Sequence, residues 1–89
     1  MEEANSGEHQ ELTPLSLLEV IIKAIVDNPD DVKISEIDGE QTIIYELRVN
    51  SDDMGKVIGR RGQNAKAIRT LLAASSGKRR KRAVLEILE

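Results

Sequence analysis

The chain has 89 residues, of which 39% are hydrophobic and 33% charged, with one tyrosine, one histidine and no cysteine, phenylalanine or tryptophan. A chain this short buries one modest aliphatic core, so we expect a single small domain. The lack of cysteine excludes disulfides, thiolate metal sites and thiol nucleophiles. The near absence of aromatic residues disfavours modules that stack bases on a row of aromatic side chains.

The formal net charge of −3 hides a strong asymmetry along the chain. Residues 1–53 carry 14 acidic and 3 basic side chains, a net charge of −11, whereas residues 54–89 carry 10 basic and 2 acidic ones, a net charge of +8. Association responds to local potential, which a clustered patch makes positive even on an acidic protein. The basic half therefore favours a polyanionic partner.

The first twelve residues are polar and show no apolar period. We predict a flexible acidic tail over residues 1–12 and a folded domain over residues 13–89. No segment approaches the ~20 apolar residues of a membrane helix. The acidic N-terminus is also unlike a signal peptide, so cytoplasmic localisation without membrane association is the expectation.

A first helix is predicted to begin near Thr13 and to end before Pro29. Thr13 can cap the helix with Pro14 in its first position, while Ser16 fits a capping box one turn later, which leaves two starts open. Apolar residues at helical spacing form one stripe: Leu17, Leu18, Ile21, Ile22 and Ile25. We expect this stripe to pack on the domain's own sheet, although a partner-binding helix would have a similar pattern.

The rest of the domain is predicted as two strands, two helices and a third strand. Two strands are predicted, over residues 32–37 and 42–49. They flank an Asp-Gly turn and form an antiparallel hairpin. Residues 50–53 offer caps to a short helix over residues 54–58, and Asp52 and Asp53 are interpreted as such a cap rather than as a catalytic pair. A longer helix after Gly62 ends near Gly77, and residues 83–88 form the last strand. The predicted fold is therefore α+β, in the order α-β-β-α-α-β, with three helices on a three-stranded sheet.

Two glycines between the second and third helices flank a pair of cations: Gly59, Arg60, Arg61 and Gly62. Glycine permits strained backbone angles and a close approach to a phosphate backbone. The helix that follows presents its first amide groups and the positive end of its dipole. The arginines can add charge-assisted contacts, so the loop is predicted to bind phosphates. Two glycines at this spacing alone also occur in ordinary turns.

With its flanks and this element order, the sequence resembles the KH domain in its type II arrangement. The resemblance covers about residues 14–89 and rests on Val57, Ile58, Gly59, Arg60, Arg61, Gly62, Ile68 and Arg69. Residues 27–29, 39–40, 46–49, 53–59 and 65–71 further resemble the KhpA family of small bacterial RNA-binding proteins. Ala65 departs from the larger aliphatic residue that many KH domains have there.

The resemblance implies a narrow groove for about four nucleotides of single-stranded RNA. It places Gly59, Arg60, Arg61 and Gly62 on the phosphates, Val57, Ile58, Ala65 and Ile68 near an aliphatic floor, and Lys56, Lys66 and Arg69 on the rim. Val57, Ile58 and Ile68 could equally be ordinary core, and Lys66 and Arg69 a solvated helix face. The family also implies RNA-chaperone activity, a KhpB-type KH partner, and a role in cell elongation and wall synthesis.

The sequence leaves open the role of a basic segment and the choice of partner, and it gives no sign of catalysis. The basic segment of residues 78–82 could be a solvated loop, an extension of the RNA track or a nuclear-import patch, with a slight preference for the RNA track. A homodimer or a protein-interaction module is the main alternative function, and single-stranded DNA an alternative ligand. No enzyme, metal or cofactor is expected, because His9 lies alone in the tail and neither a Walker loop nor a dinucleotide fingerprint is present.

Overall fold

The computed structural model describes residues 13–76 and 80–88. The predicted tail lies outside these residues. Helix α1 spans Pro14–Ile25, strands β1 and β2 span Lys33–Asp38 and Thr42–Arg48, helices α2 and α3 span Met54–Ile58 and Gln63–Ser76, and strand β3 spans Arg82–Leu88. The order α-β-β-α-α-β is the predicted one, and three short 3₁₀ turns, Pro29–Asp31, Ser51–Asp53 and Arg60–Gly62, connect the elements.

Helix α1 takes the first of the two predicted starts, because Thr13 is its cap and Ser16, its third residue, closes the capping box. The Thr13 hydroxyl accepts a hydrogen bond from the Ser16 amide at 3.1 Å, and the Ser16 hydroxyl accepts one from the Thr13 amide at 2.9 Å. Pro14 therefore occupies the first helical position, where its missing N–H has no cost. The helix ends at Ile25, because Val26 is already extended.

The sheet has the order β1-β2-β3, with β2 in the centre. Strands β1 and β2 form the predicted antiparallel hairpin, in which Ile37 pairs with Ile44. Strand β3 pairs with β2 in parallel, with Leu85 beside Tyr45. A parallel pair needs a long crossover, and here α2, the glycine pair and α3 supply it. The phosphate-binding candidate thus lies within the crossover.

The core lies between the helices and one face of the sheet. The hydrophobic core is formed by the buried side chains Leu18, Ile22, Val26, Ile43, Tyr45, Leu47, Val57, Ile68, Leu72 and Leu85. The apolar stripe of α1 packs within the domain, as predicted, through Leu18 and Ile22. Tyr45 is 0% exposed, and its hydroxyl donates to Glu36 Oε2 at 3.4 Å, which gives the buried phenol a polar partner.

Candidate nucleic-acid interface

The four residues 59–62, hereafter the glycine loop, reverse the chain between α2 and α3. Gly59 ends α2 with φ 79° and ψ 170°, a combination that is essentially restricted to glycine. Arg61 has φ 58° and Gly62 has φ 73°. Helix α3 begins at once with Gln63. The loop is therefore a tight turn that leads directly into the amino end of a 14-residue helix.

Gly59 is also required by its neighbour Asn64. A Cβ atom on Gly59 would lie 2.7 Å from Asn64 Cγ and 2.8 Å from the Asn64 amide nitrogen. The Asn64 side-chain amide donates to the Lys56 carbonyl at 2.8 Å, which fixes the side chain against the end of α2. No neighbour lies within 4 Å of such a Cβ on Gly62, where only the positive φ favours glycine. Asn64 was not among the predicted site residues, since its only signal in the sequence is an asparagine at a predicted helix start.

Four exposed cations lie in the loop and in the first half of α3: Arg60, Arg61, Lys66 and Arg69. Among the described residues, no carboxylate lies within ion-pair distance of any of them. The first turn of α3 contains no acidic residue, so the positive end of its dipole faces the same cations without a nearby counter-charge. The arrangement can bind an anion through backbone amides and arginine side chains together.

Lys56, the fifth predicted cation, is different because it already has a partner. Its ammonium forms an ion pair with the Asp27 carboxylate, just beyond the end of α1. This hydrogen bond raises the pKa of Lys56. Lys56, three residues before the loop, therefore has an internal counter-ion, whereas the other four cations have none among the residues that the structure describes.

The predicted aliphatic floor divides into buried and accessible parts. Val57 is 0% exposed and Ile68 is 3% exposed, so their side chains belong to the core, in agreement with the core interpretation. Ala65 is also buried. Ile58 is 38% exposed and is the one of these four with substantial accessible apolar surface.

Asp53 lies at the base of α2 and has a role that the sequence analysis did not predict. Asp53 occupies the N-cap position of α2, as predicted, but its side chain is 1% exposed and makes no capping hydrogen bond to the helix. Its carboxylate instead accepts hydrogen bonds from the Asp27 amide at 3.1 Å, the Asn28 amide at 3.0 Å and the Asn28 side chain at 3.1 Å. Asn50 provides the nearby cap, for the 3₁₀ turn.

These bonds attach the segment after α1 to the base of α2. Burial alone raises the pKa of the Asp53 carboxyl, but the hydrogen bonds from Asp27 and Asn28 outweigh burial and hold the pKa below its usual value. A buried carboxylate with three donors stays charged and fixes the donors around it. The glycine loop is thereby mounted on a helix whose base is anchored to α1.

The basic segment of residues 78–82, hereafter the basic connector, lies beyond the other end of α3. That helix is about 21 Å long, from its 1.5 Å rise per residue. Lys78 and Arg79 lie outside the described residues, and Arg82 is the first residue of β3. Lys81 Nζ lies 2.6 Å from Asp38 Oδ1, so a residue from the acidic half of the chain supplies a counter-charge.

The α-β-β-α-α-β order, the mixed three-stranded sheet and the glycine loop within the crossover define a KH domain of type II. The family model described as "KhpA/KhpB, KH domain" matches residues 16–87. The chain belongs to this family.

Its relatives include proteins named RNA-binding protein KhpA. One from Clostridium acetobutylicum is 57% identical over 72 residues, which is 81% of this chain and 96% of the relative. One from Borreliella burgdorferi is 52% identical over 75 residues, 84% of this chain and 92% of the relative. One from Aquifex aeolicus is 51% identical over 73 residues, 82% of this chain and 92% of the relative.

Proposed function

We propose that this chain binds single-stranded RNA without catalysis and that the glycine loop receives the RNA backbone. The observation that carries the proposal is a group of four cations in the glycine loop and the first half of α3 that have no carboxylate partner among the described residues: Arg60, Arg61, Lys66 and Arg69. Arg60 and Arg61 stand at the positive end of a helix dipole, a placement that is unfavourable without an anion. A phosphate backbone supplies that anion, and the names of the relatives support RNA as its source.

The residue roles follow from burial and charge. Gly59, Arg60, Arg61 and Gly62 contact phosphates, while Lys66 and Arg69, three residues apart on α3, extend the cationic edge. Ile58 offers the apolar surface for bases, and Val57, Ala65 and Ile68 support it from beneath. Lys56 contributes only when it exchanges Asp27 for a phosphate.

The family suggests a wider role in the cytoplasm. On this basis the protein acts as an RNA chaperone or post-transcriptional regulator with a KhpB-type KH partner, in cell elongation and wall synthesis. Co-purification of the tagged chain with a second KH protein from its own cells tests the partnership. Recovery of RNA with no such protein would restrict the function to RNA binding by this chain.

The test of the central proposal is the affinity for short single-stranded RNA across a salt series. For single strands, the slope of log K against log salt is about −0.7 per neutralised phosphate. The double variant Arg60→Asp/Arg61→Asp should bind at least about tenfold more weakly, and its slope should be shallower by about 1.4 if each arginine contacts one phosphate.

The matched control is Lys23→Asp/Lys33→Asp, which changes the net charge equally at exposed positions outside the interface. Its RNA affinity should fall much less than that of the loop variant. Equal losses in two folded variants would show that net charge, and not the loop, determines binding. A DNA strand of the same sequence tests the alternative ligand, since no feature of the site is specific for the 2′-hydroxyl.

A further inference from the structure

Asp27, two residues beyond the end of α1, places its carboxylate on the ammonium of Lys56. The Asp27 side chain is 73% exposed and the Lys56 side chain is 44% exposed. Both charged groups are therefore accessible to solvent, and an anion that approaches Lys56 meets the carboxylate as a competitor. Of the five cations placed at the interface, Lys56 alone has such a competitor among the described residues.

The backbone of Asp27 is held in place independently of this ion pair. Its amide donates to one oxygen of the buried Asp53 carboxylate at 3.1 Å, and the next amide, of Asn28, donates to the other oxygen at 3.0 Å. Lys56 follows Asp53 by three residues, which is less than one turn of α2. The carboxylate of Asp27 is thus kept near Lys56 by hydrogen bonds in which that carboxylate takes no part.

The charge of Asp27 is not explained by helix α1. A negative charge just beyond the carboxyl end of a helix is unfavourable, because it lies at the negative end of the dipole. Lys56, by contrast, is joined to the interface, since the Asn64 side chain donates from the start of α3 to the Lys56 carbonyl at 2.8 Å. The charge of Asp27 therefore acts on a cation next to the glycine loop and brings no benefit to its own helix.

We propose that Asp27 is an internal competitor of RNA, whose carboxylate occupies Lys56 and thereby lowers the affinity of the interface for a phosphate backbone. The inference rests on the proposed function of the glycine loop. A phosphate can bind Lys56 only when the ion pair with Asp27 breaks, so the free energy of that pair is subtracted from the free energy of RNA binding. Because a partly exposed ion pair is weak, the competition adjusts the affinity and does not abolish binding.

The variant Asp27→Asn tests the competition, because it removes the charge but keeps the size of the side chain and the amide that donates to Asp53. Its affinity for short single-stranded RNA at low salt, measured by fluorescence anisotropy, should be about two- to fivefold higher than that of the parent chain. The Tm establishes that the variant is folded. Equal affinities of the folded variant and the parent chain would overturn the proposal.

The matched control is Asp30→Asn, which makes the same change of charge in the adjacent 3₁₀ turn. Asp30 is exposed and has no ion pair in the part of the chain that the structure describes. Its replacement should raise the affinity by less than about 1.5-fold, because a screened charge away from Lys56 acts only through the general potential.

A double-mutant cycle with Lys56→Gln shows whether the gain depends on Lys56. In the Lys56→Gln background there is no ammonium to release, so Asp27→Asn should raise the affinity no more than Asp30→Asn does. In the parent background Asp27→Asn should give its full gain. The same gain in both backgrounds would contradict the proposal, because the carboxylate would then act by general repulsion of RNA.

The identity of the bases should not matter, because phosphates carry no sequence information. The gain from Asp27→Asn should therefore be equal for short strands of uridine and of adenosine. A gain restricted to one of them would place Lys56 on a base and refute the competition for phosphate. If Arg60→Asp/Arg61→Asp weakens binding while Asp27→Asn binds like the parent chain, only the competition fails, whereas a parent chain that binds no RNA overturns both this inference and the proposed function.

Discussion

The glycine loop and the basic connector contain similar residues and stand at opposite ends of α3. Each places adjacent cations at a turn, and each holds an arginine in the left-handed region, with φ 58° at Arg61 and φ 57° at Arg80. The loop cations have no carboxylate partner among the described residues, whereas Lys81 is paired with Asp38.

The helix dipole explains why this difference matters. Cations are favourable near the carboxyl end of a helix and unfavourable near its amino end. Lys81 follows the carboxyl end of α3 and is paired with Asp38, while Arg60 and Arg61 precede the amino end, where an external anion would stabilise them. Position relative to the helix, rather than the number of cations, therefore makes the glycine loop the stronger candidate phosphate site.

The largest expected effect is a loss of stability when the backbone conformation of the glycine loop is disturbed. Gly59→Ala would put a Cβ in a glycine-only region and against the backbone of Asn64, so we expect a loss of about 3 kcal/mol in the free energy of unfolding. For a domain of this size, the Tm should fall by more than about 10 °C. Thermal unfolding followed by circular dichroism measures this change.

The matched control is Gly55→Ala, one turn earlier in α2. No atom lies within 4 Å of a Cβ at Gly55, and alanine favours a helix over glycine by about 0.5–1 kcal/mol. The control should therefore have an unchanged or higher Tm. If Gly59→Ala had the same Tm as Gly55→Ala, the loop would have a second accessible conformation, and the backbone of Gly59 would constrain it less than the geometry indicates.

The second expected effect concerns the Asp53 carboxylate, which anchors the base of α2 below the loop. Because folding lowers the pKa of Asp53, its carboxylate stabilises the fold above the unfolded-state pKa of about 3.9, and this contribution is lost as pH falls through the lower folded-state value. Asp53→Asn places a side-chain N–H₂ group among three donors. We expect a lower Tm at pH 7 and a smaller further decline between about pH 4 and pH 2 than in the parent chain.

Asp52→Asn is the control for this prediction, since Asp52 is the exposed neighbour in the same 3₁₀ turn. Its Tm should follow that of the parent chain across the acidic range. A parent-like curve from Asp53→Asn would mean that the three hydrogen bonds do not hold the base of α2.

The sequence predicted what depends on local pattern and missed what depends on distant contacts. Alternation in β2, the Asp-Gly turn and the glycine pair gave the element order and the position of the loop. Asp53 was interpreted as a cap because its local surroundings suit one, yet its donors lie 25 and 26 residues earlier in the chain. Likewise, the Lys56 to Asp27 pair depends on where α1 ends relative to α2, which no spacing within either segment shows.

A third, smaller effect on RNA affinity is expected when two positive charges are removed from the loop or from the connector. Arg60→Gln/Arg61→Asn and Arg80→Asn/Lys81→Gln each remove two positive charges, and asparagine tolerates the left-handed region. RNA affinity should fall about tenfold for the loop pair and less than about threefold for the connector pair, measured by fluorescence anisotropy at one low salt concentration. Equal losses would instead mean that the RNA track extends along the whole of α3, as the interpretation of the connector as RNA track requires.

The smallest effect is expected at the Lys81 to Asp38 pair, because both side chains are partly exposed. Asp38→Asn should lower the free energy of unfolding by about 0.2–1 kcal/mol at low salt. At about 1 M salt the screening length is about 3 Å, so the difference from the parent chain should nearly vanish. Asp30→Asn, at an exposed position without an ion pair in the described structure, is the control. A loss that persists at high salt would show that Asp38 fixes the position of the connector and does not only neutralise its charge. The segments at the two ends of α3 would then differ in charge pairing, but both would be held in place.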